Sequence, residues 1–155
     1  MNIIDLITRD CVAINVKVTS KKQLIQEMAQ LMIGCGCLAG SGVEARDIVS
    51  AAMDRERLGS TGVGSGVALP HARVEGLQEV AGAFVLLDKP IDFSSVDRQP
   101  VDVAFALFAP EDAGVEHLKA LALVARTLRD TSICTKLRSN PDPATLYTIL
   151  TEDKA

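Results

Sequence analysis

Only two histidines occur in the 155 residues, His71 and His117. His71 ends the triplet Leu69-Pro70-His71, where the fixed φ of proline narrows the backbone and can hold an imidazole at a concave surface. Just before it, residues 59–66 read GSTGVGSG, and loops of this kind can turn successive N–H groups toward an anion. Arg55 and Arg57 stand immediately upstream, and guanidinium groups bind oxyanions in the same way. A ring nitrogen beside N–H and guanidinium donors describes an oxyanion receptor. The candidate donors in the loop are the Ser60 and Thr61 hydroxyls and the Gly62 amide, although loop serines and threonines also commonly bond their own backbone. No Gly-Lys-Ser/Thr follows the glycines, so the loop is not a Walker A sequence and ATP binding is not expected.

Several elements must position these residues. Residues 12–18 alternate and are rich in valine and isoleucine, which predicts a strand. A helix follows from Ser20 as cap, with Leu24, Met28, Leu31 and Met32 at helical spacing and Gly34 and Gly36 supplying the positive φ angles that end it. Residues 43–58 predict a second helix that turns Ile48, Val49, Ala52 and Met53 inward and stops at Gly59. Residues 59–66 carry too many glycines for a helix or an ordinary strand and predict an irregular loop. Residues 66–72 form a short extended segment broken by Pro70, and the apolar runs 80–87 and 101–108 predict strands buried on both faces. Residues 115–129 predict the third long helix, with His117, Leu121, Val124 and Leu128 on one stripe, and shorter helical patterns occupy 132–137 and 143–150.

Interleaved strands and helices predict one α/β domain over residues 1–155, a mixed β-sheet flanked by α-helices on both faces. With 48% hydrophobic and 23% charged residues the chain resembles ordinary globular proteins, which excludes a disordered polymer. Sixteen basic against 20 acidic residues, a formal charge of -4, leave no footprint for nucleic acid or an anionic membrane. The N-terminal segment has no basic region or apolar core of signal-peptide length, and no run approaches a membrane span, so a cytoplasmic protein without direct membrane insertion is expected. Cys11, Cys35, Cys37 and Cys134 lack paired Cys-x2-Cys spacing, and a reducing compartment disfavours disulfides. They read as buried or surface thiols, with no metal site.

The stretch RERLGSTGVGSGVALPH, residues 55–71, resembles the active-site signature of the mannitol/fructose-type IIA family of the bacterial phosphotransferase system. Residues 97–110 (DRQPVDVAFALFAP) and 116–130 (EHLKALALVARTLRD) resemble the same family, in particular its nitrogen-related branch, so nearly the whole chain is covered. The resemblance implies a mixed sheet flanked by helices, a phosphoryl group accepted on His71, and neither a metal nor an organic cofactor. Arg55 matches the family's active-site arginine and His117 its second histidine, near the positive end of its helix dipole. Attack by Nε2 is implied, which requires the proton on Nδ1, most simply held there by a backbone carbonyl. Arg57 reads equally as a solvated helix-end arginine. Ala72 departs from the family, where glycine often follows the histidine, and this touches only the local backbone torsion. Apolar Val67, Leu69, Pro70 and Ala72 read as a docking rim for the donor or as core.

The implied donor is the histidine-phosphorylated carrier HPr or its nitrogen-branch relative. Three functions fit the resemblance. The first is a free-standing regulatory phosphocarrier whose phosphorylation changes which targets it binds, since no IIB or membrane-spanning IIC segment is expected in the chain. The second is a fructose- or mannitol-specific IIA enzyme passing phosphate to a separate IIB partner. The third is a pure interaction module that inhibits a kinase or transporter.

Overall fold

The computed structural model describes residues 1–140 and 142–152. Two short 3-10 turns, Ile3–Asp5 and Arg9–Cys11, lead into strand β1, Val12–Val16. Helix α1 spans Lys21–Gly34 and is capped by the Ser20 hydroxyl, which accepts from the Gln23 amide at 3.2 Å. Helix α2 spans Ala45–Glu56. Three short strands follow, β2 Gly62–Gly64, β3 Val67–Ala68 and β4 His71–Val74, and then two long ones, β5 Ala81–Ile91 and β6 Val101–Pro110. The chain closes with α3 Val115–Arg129, α4 Thr131–Ser139 and α5 Pro143–Thr151. Asp130 and Asp142 cap the last two helices, and Pro143 occupies a first-turn position where its missing N–H costs nothing.

The strands form one sheet in the order β1-β5-β6-β3-β2, with β4 also paired to β6. The pairs of β1 with β5 and of β3 and β4 with β6 are parallel, while β2 with β3 and β5 with β6 are antiparallel. β5 and β6 are the central strands, and Phe84 and Phe105 face each other in register there with rings 6.4 Å apart. Helices α1 and α2 pack together against β5 and β4, whereas α3, α4 and α5 form a second group against β6 and β1. This is the mixed sheet flanked by helices that the sequence predicts.

Three local expectations need correction. The glycine segment is not wholly irregular, because Gly62–Gly64 pairs antiparallel with β3. Gly62 can do so because it has no side chain: a Cβ there would lie 2.9 Å from the Ser95 Cβ and 3.0 Å from its Cα, in the connection between β5 and β6. Gly62→Ala should therefore destabilise the protein by about 1–2 kcal/mol through overpacking, read as a lower urea midpoint at unchanged m-value. At the end of α1, Gly34 stays helical and only Gly36 takes a positive φ, 81°. Finally, Cys11 and Cys35 are not free thiols: they form a disulfide between the start of β1 and the end of α1. The two are 24 residues apart in the chain, and only the packing of α1 on the sheet makes them neighbours.

Candidate active site

Proline decides how His71 is presented. β3 and β4 both run parallel to β6 and lie in succession along it, Val67 opposite Val103 and His71 opposite Leu107. Pro70 has no N–H for the ladder, and the chain breaks there. The Pro70 carbonyl still accepts from the Leu107 amide at 2.9 Å, but the Leu69 carbonyl turns to the imidazole and accepts from His71 Nδ1 at 2.8 Å. With the proton held on Nδ1, the lone pair of a neutral ring sits on Nε2.

His117 is the third residue of α3 and buried. Its ring lies 5.9 Å from that of His71 at an interplanar angle of 66°, and its Nε2 is buried with no hydrogen-bond partner among the described residues. An unpartnered buried ring nitrogen beside a second imidazole is, when it carries the proton, a donor able to meet an oxyanion.

Both rings are held below the ordinary histidine pKa. For His71 burial is the main cause and Arg55 adds to it, while the Leu69 hydrogen bond and Glu56 oppose it. For His117 burial leads, followed by the charges of His71 and Arg73. The sign of the stability effect follows. Below pH 6.5 the unfolded chain takes up protons on these histidines before the folded one does, so stability is lost as pH falls from 6.5 through the lower folded values. The urea midpoint should drop over that window, and the His71→Ala/His117→Ala double variant should show a smaller drop.

Arg55 donates to the Gly59 carbonyl at 3.0 Å and bears electrostatically on His71, so the expected arginine is at the site. Arg57 is not: it is exposed and pairs with Asp54 on its own helix. A second arginine was missed in the sequence. Arg73 lies two residues past His71 in β4, hence on the same face of the strand, and donates to the Glu111 carbonyl at 3.1 Å. The period of two would have revealed it.

The loop donors are engaged elsewhere. The Ser60 hydroxyl donates to the Phe93 carbonyl at 2.9 Å and accepts from the Gly62 amide at 3.0 Å. Thr61 is buried, with its amide 3.2 Å from both carboxylate oxygens of Glu56 and its hydroxyl also donating to Glu56. In this arrangement the Ser60 and Thr61 hydroxyls and the Gly62 amide are engaged in shaping the loop, the outcome usual for loop hydroxyls. Glu56, buried and paired with Lys21 at 2.9 Å, is the bracket that sequence reading overlooked. From the other side Asp97 accepts from the Ser65 amide at 2.9 Å, and Arg138, paired with Asp102, donates to the Ser65 carbonyl at 3.0 Å.

The docking rim must be moved as well. Val67, Leu69, Pro70 and Ala72 are all buried under the sheet pairing of β3 and β4, so they are core. Large apolar residues that are exposed include Leu58 past the end of α2, Val63 in β2, Val96 whose amide donates to the Gly62 carbonyl, and Val115 and Leu118 on either side of His117 in the sequence of α3.

The family model of the phosphoenolpyruvate-dependent sugar phosphotransferase system, EIIA 2, matches residues 5–153. The chain belongs to this EIIA 2 family. Among its relatives, a nitrogen regulatory protein of Bradyrhizobium diazoefficiens is 45% identical over 97% of this chain and 95% of its own length. The crystal structure of the nitrogen regulatory protein IIA-Ntr from Neisseria meningitidis superposes with a TM-score of 0.87 at 33% identity, covering 96% of this chain and 99% of that one. The crystal structure of IIA mannitol from Escherichia coli, at 19% identity, shares the EIIA 2 fold with a TM-score of 0.75 over 92% of this chain and 97% of that one. No helix among the described residues is long and apolar enough to cross a membrane.

Proposed function

We propose that the protein is a cytoplasmic phosphocarrier that accepts a phosphoryl group on His71 Nε2 and acts mainly as a nitrogen-related regulator through phosphorylation-dependent binding. The observation that carries this reading is the hydrogen bond from His71 Nδ1 to the Leu69 carbonyl, which leaves Nε2 as the nucleophile opposite His117. The donor is a histidine-phosphorylated carrier, HPr or its nitrogen-branch relative. In the transfer the N–P bond of the donor breaks and an N–P bond to His71 Nε2 forms. The equatorial oxygens of the moving group meet Arg55, Arg73 and the buried Nε2 of His117, provided the latter carries its proton there. Nothing in this step calls on a metal or an organic cofactor.

The regulatory branch is favoured by the relative named a nitrogen regulatory protein, whose length this chain covers almost entirely. Phosphohistidine adds about two negative charges at the His71 surface, enough to alter which partner that face accepts. The test is to incubate the protein with phosphoenolpyruvate, enzyme I and each HPr-type carrier, and then offer the labelled product to fructose- and mannitol-type IIB domains. Labelling without onward transfer is expected, whereas rapid transfer to a sugar IIB would replace the regulatory reading by the sugar-specific one. In the same assay Leu118→Asp, at a site 62% exposed, should raise the KM for the phosphorylated carrier about tenfold or more while changing kcat little.

A further inference from the structure

Three of the four cysteines meet at one place, remote from the histidines. Cys11 is fully buried where the second 3-10 turn enters β1, and Cys35 caps α1. Gly36, at φ 81°, turns the chain back so that Cys37 returns to the same spot. All three sulfur atoms lie within 4.8 Å of one another. Cys11 and Cys35 are joined, and Cys37 is a half-buried thiol that donates to the Met32 carbonyl at 3.4 Å. Cys134 stands apart on α4, its thiol donating to the Leu128 carbonyl at 3.1 Å.

We propose that, once the Cys11–Cys35 bond is reduced, Cys11, Cys35 and Cys37 bind one thiophilic d10 cation of the zinc or copper(I) class through three thiolates. Zinc–sulfur bonds of about 2.3 Å at tetrahedral angles set neighbouring sulfurs roughly 3.8 Å apart, inside the spacing found. Trigonal copper(I) asks for nearly the same separation, and thiolate ligands select these ions over harder ones. Cys35 also borders a surface depression of about 470 Å³ lined by Asp10, Glu27 and Gly34, the side from which water or a carboxylate would complete the coordination.

The disulfide and the cation exclude each other, because the bond consumes two of the three ligands. A dithiol reductant supplies two electrons and two protons, becoming a cyclic disulfide while Cys11 and Cys35 become thiols. Zinc then replaces three thiol protons, leaving a tris-thiolate of net charge -1. Either state fastens the end of α1 to the start of β1. The opposite end of α1, where Lys21 pairs with Glu56, lies about 20 Å away along the helix. Metal uptake is therefore the readout to use, separately from phosphoryl transfer.

The purified full chain is reduced with dithiothreitol, exchanged anaerobically into buffer without reductant, and titrated with cobalt(II) as a spectroscopic probe, then with zinc. Copper(I) is measured separately by competition with bicinchoninate. The expected result is one equivalent per chain with thiolate-to-cobalt charge transfer, and no uptake by the oxidised protein. Cys37→Ser, checked for fold by circular dichroism, should bind more than about tenfold more weakly. Cys134→Ser and the His71→Ala/His117→Ala pair should bind as the wild type does. Uptake well below one equivalent by the reduced protein, equal binding by Cys37→Ser, equal binding by the oxidised form, or binding that vanishes with the two histidines would each overturn the proposal.

Discussion

His71→Ala is expected to abolish labelling by the phosphorylated carrier outright, because the other imidazole, His117, is buried while His71 is half-buried with its Nδ1 proton held by Leu69. His117→Ala should keep some labelling but slow transfer by about 10²–10³-fold, the range for losing one donor aimed at developing charge. Arg55→Ala should lower the rate in the same direction without unfolding the chain, since among the described residues its guanidinium bonds the Gly59 carbonyl, at 3.0 Å, and no buried group. The measurement is single-turnover incorporation of label from phosphoenolpyruvate, with thermal unfolding run on every variant. His71→Asn is the sharper control, since its amide nitrogen takes the place of Nδ1 toward the Leu69 carbonyl but offers no ring nitrogen. Full labelling of either His71 variant would show that the phosphate resides elsewhere, and unchanged kinetics in Arg55→Ala would remove that arginine from the site.

Much of this arrangement could be read before the fold was known, and the exceptions share one cause. α3 begins and ends where the stripe His117, Leu121, Val124 and Leu128 predicts, because a helix carries its own periodicity. β5 and β6 were legible as apolar runs of strand length. Local signals could not reveal β2, a three-residue strand that exists only because Gly62 can lie against Ser95 and pair with Ala68. The same holds for Val67, Leu69 and Ala72, whose burial is decided by β6 lying alongside them, and for Cys11, whose partner arrives with α1. Arg73 is different: its placement beside His71 is a strand periodicity that the sequence carries, but the extended segment expected from the sequence ends at Ala72, whereas β4 runs on to Val74.

Glu56→Ala is the second change with a large effect, and here the effect falls first on stability. Its side chain is 3% exposed and holds three groups at once: the Lys21 ammonium at 2.9 Å, the Thr61 amide at 3.2 Å from each oxygen, and the Thr61 hydroxyl. Alanine leaves the Thr61 donors buried without an acceptor, while Lys21, 21% exposed, can recover part of its hydration. The loss should be about 2–4 kcal/mol, smaller than for a fully buried ion pair because of that recovery. For a chain of this size it corresponds to a fall in Tm of roughly 5–12 °C. Glu56→Gln keeps one acceptor oxygen but turns an amide N–H₂ toward either Lys21 or Thr61, so it should lose less, though not nothing. The two variants also separate a brace from mere packing. If the bracket sets the loop that leads through β3 to Pro70 and His71, then well below Tm both should transfer phosphate more slowly, at nearly unchanged KM for the carrier. Gln should recover more of the rate than Ala. Wild-type transfer rates in a protein that melts early would confine Glu56 to holding the fold together.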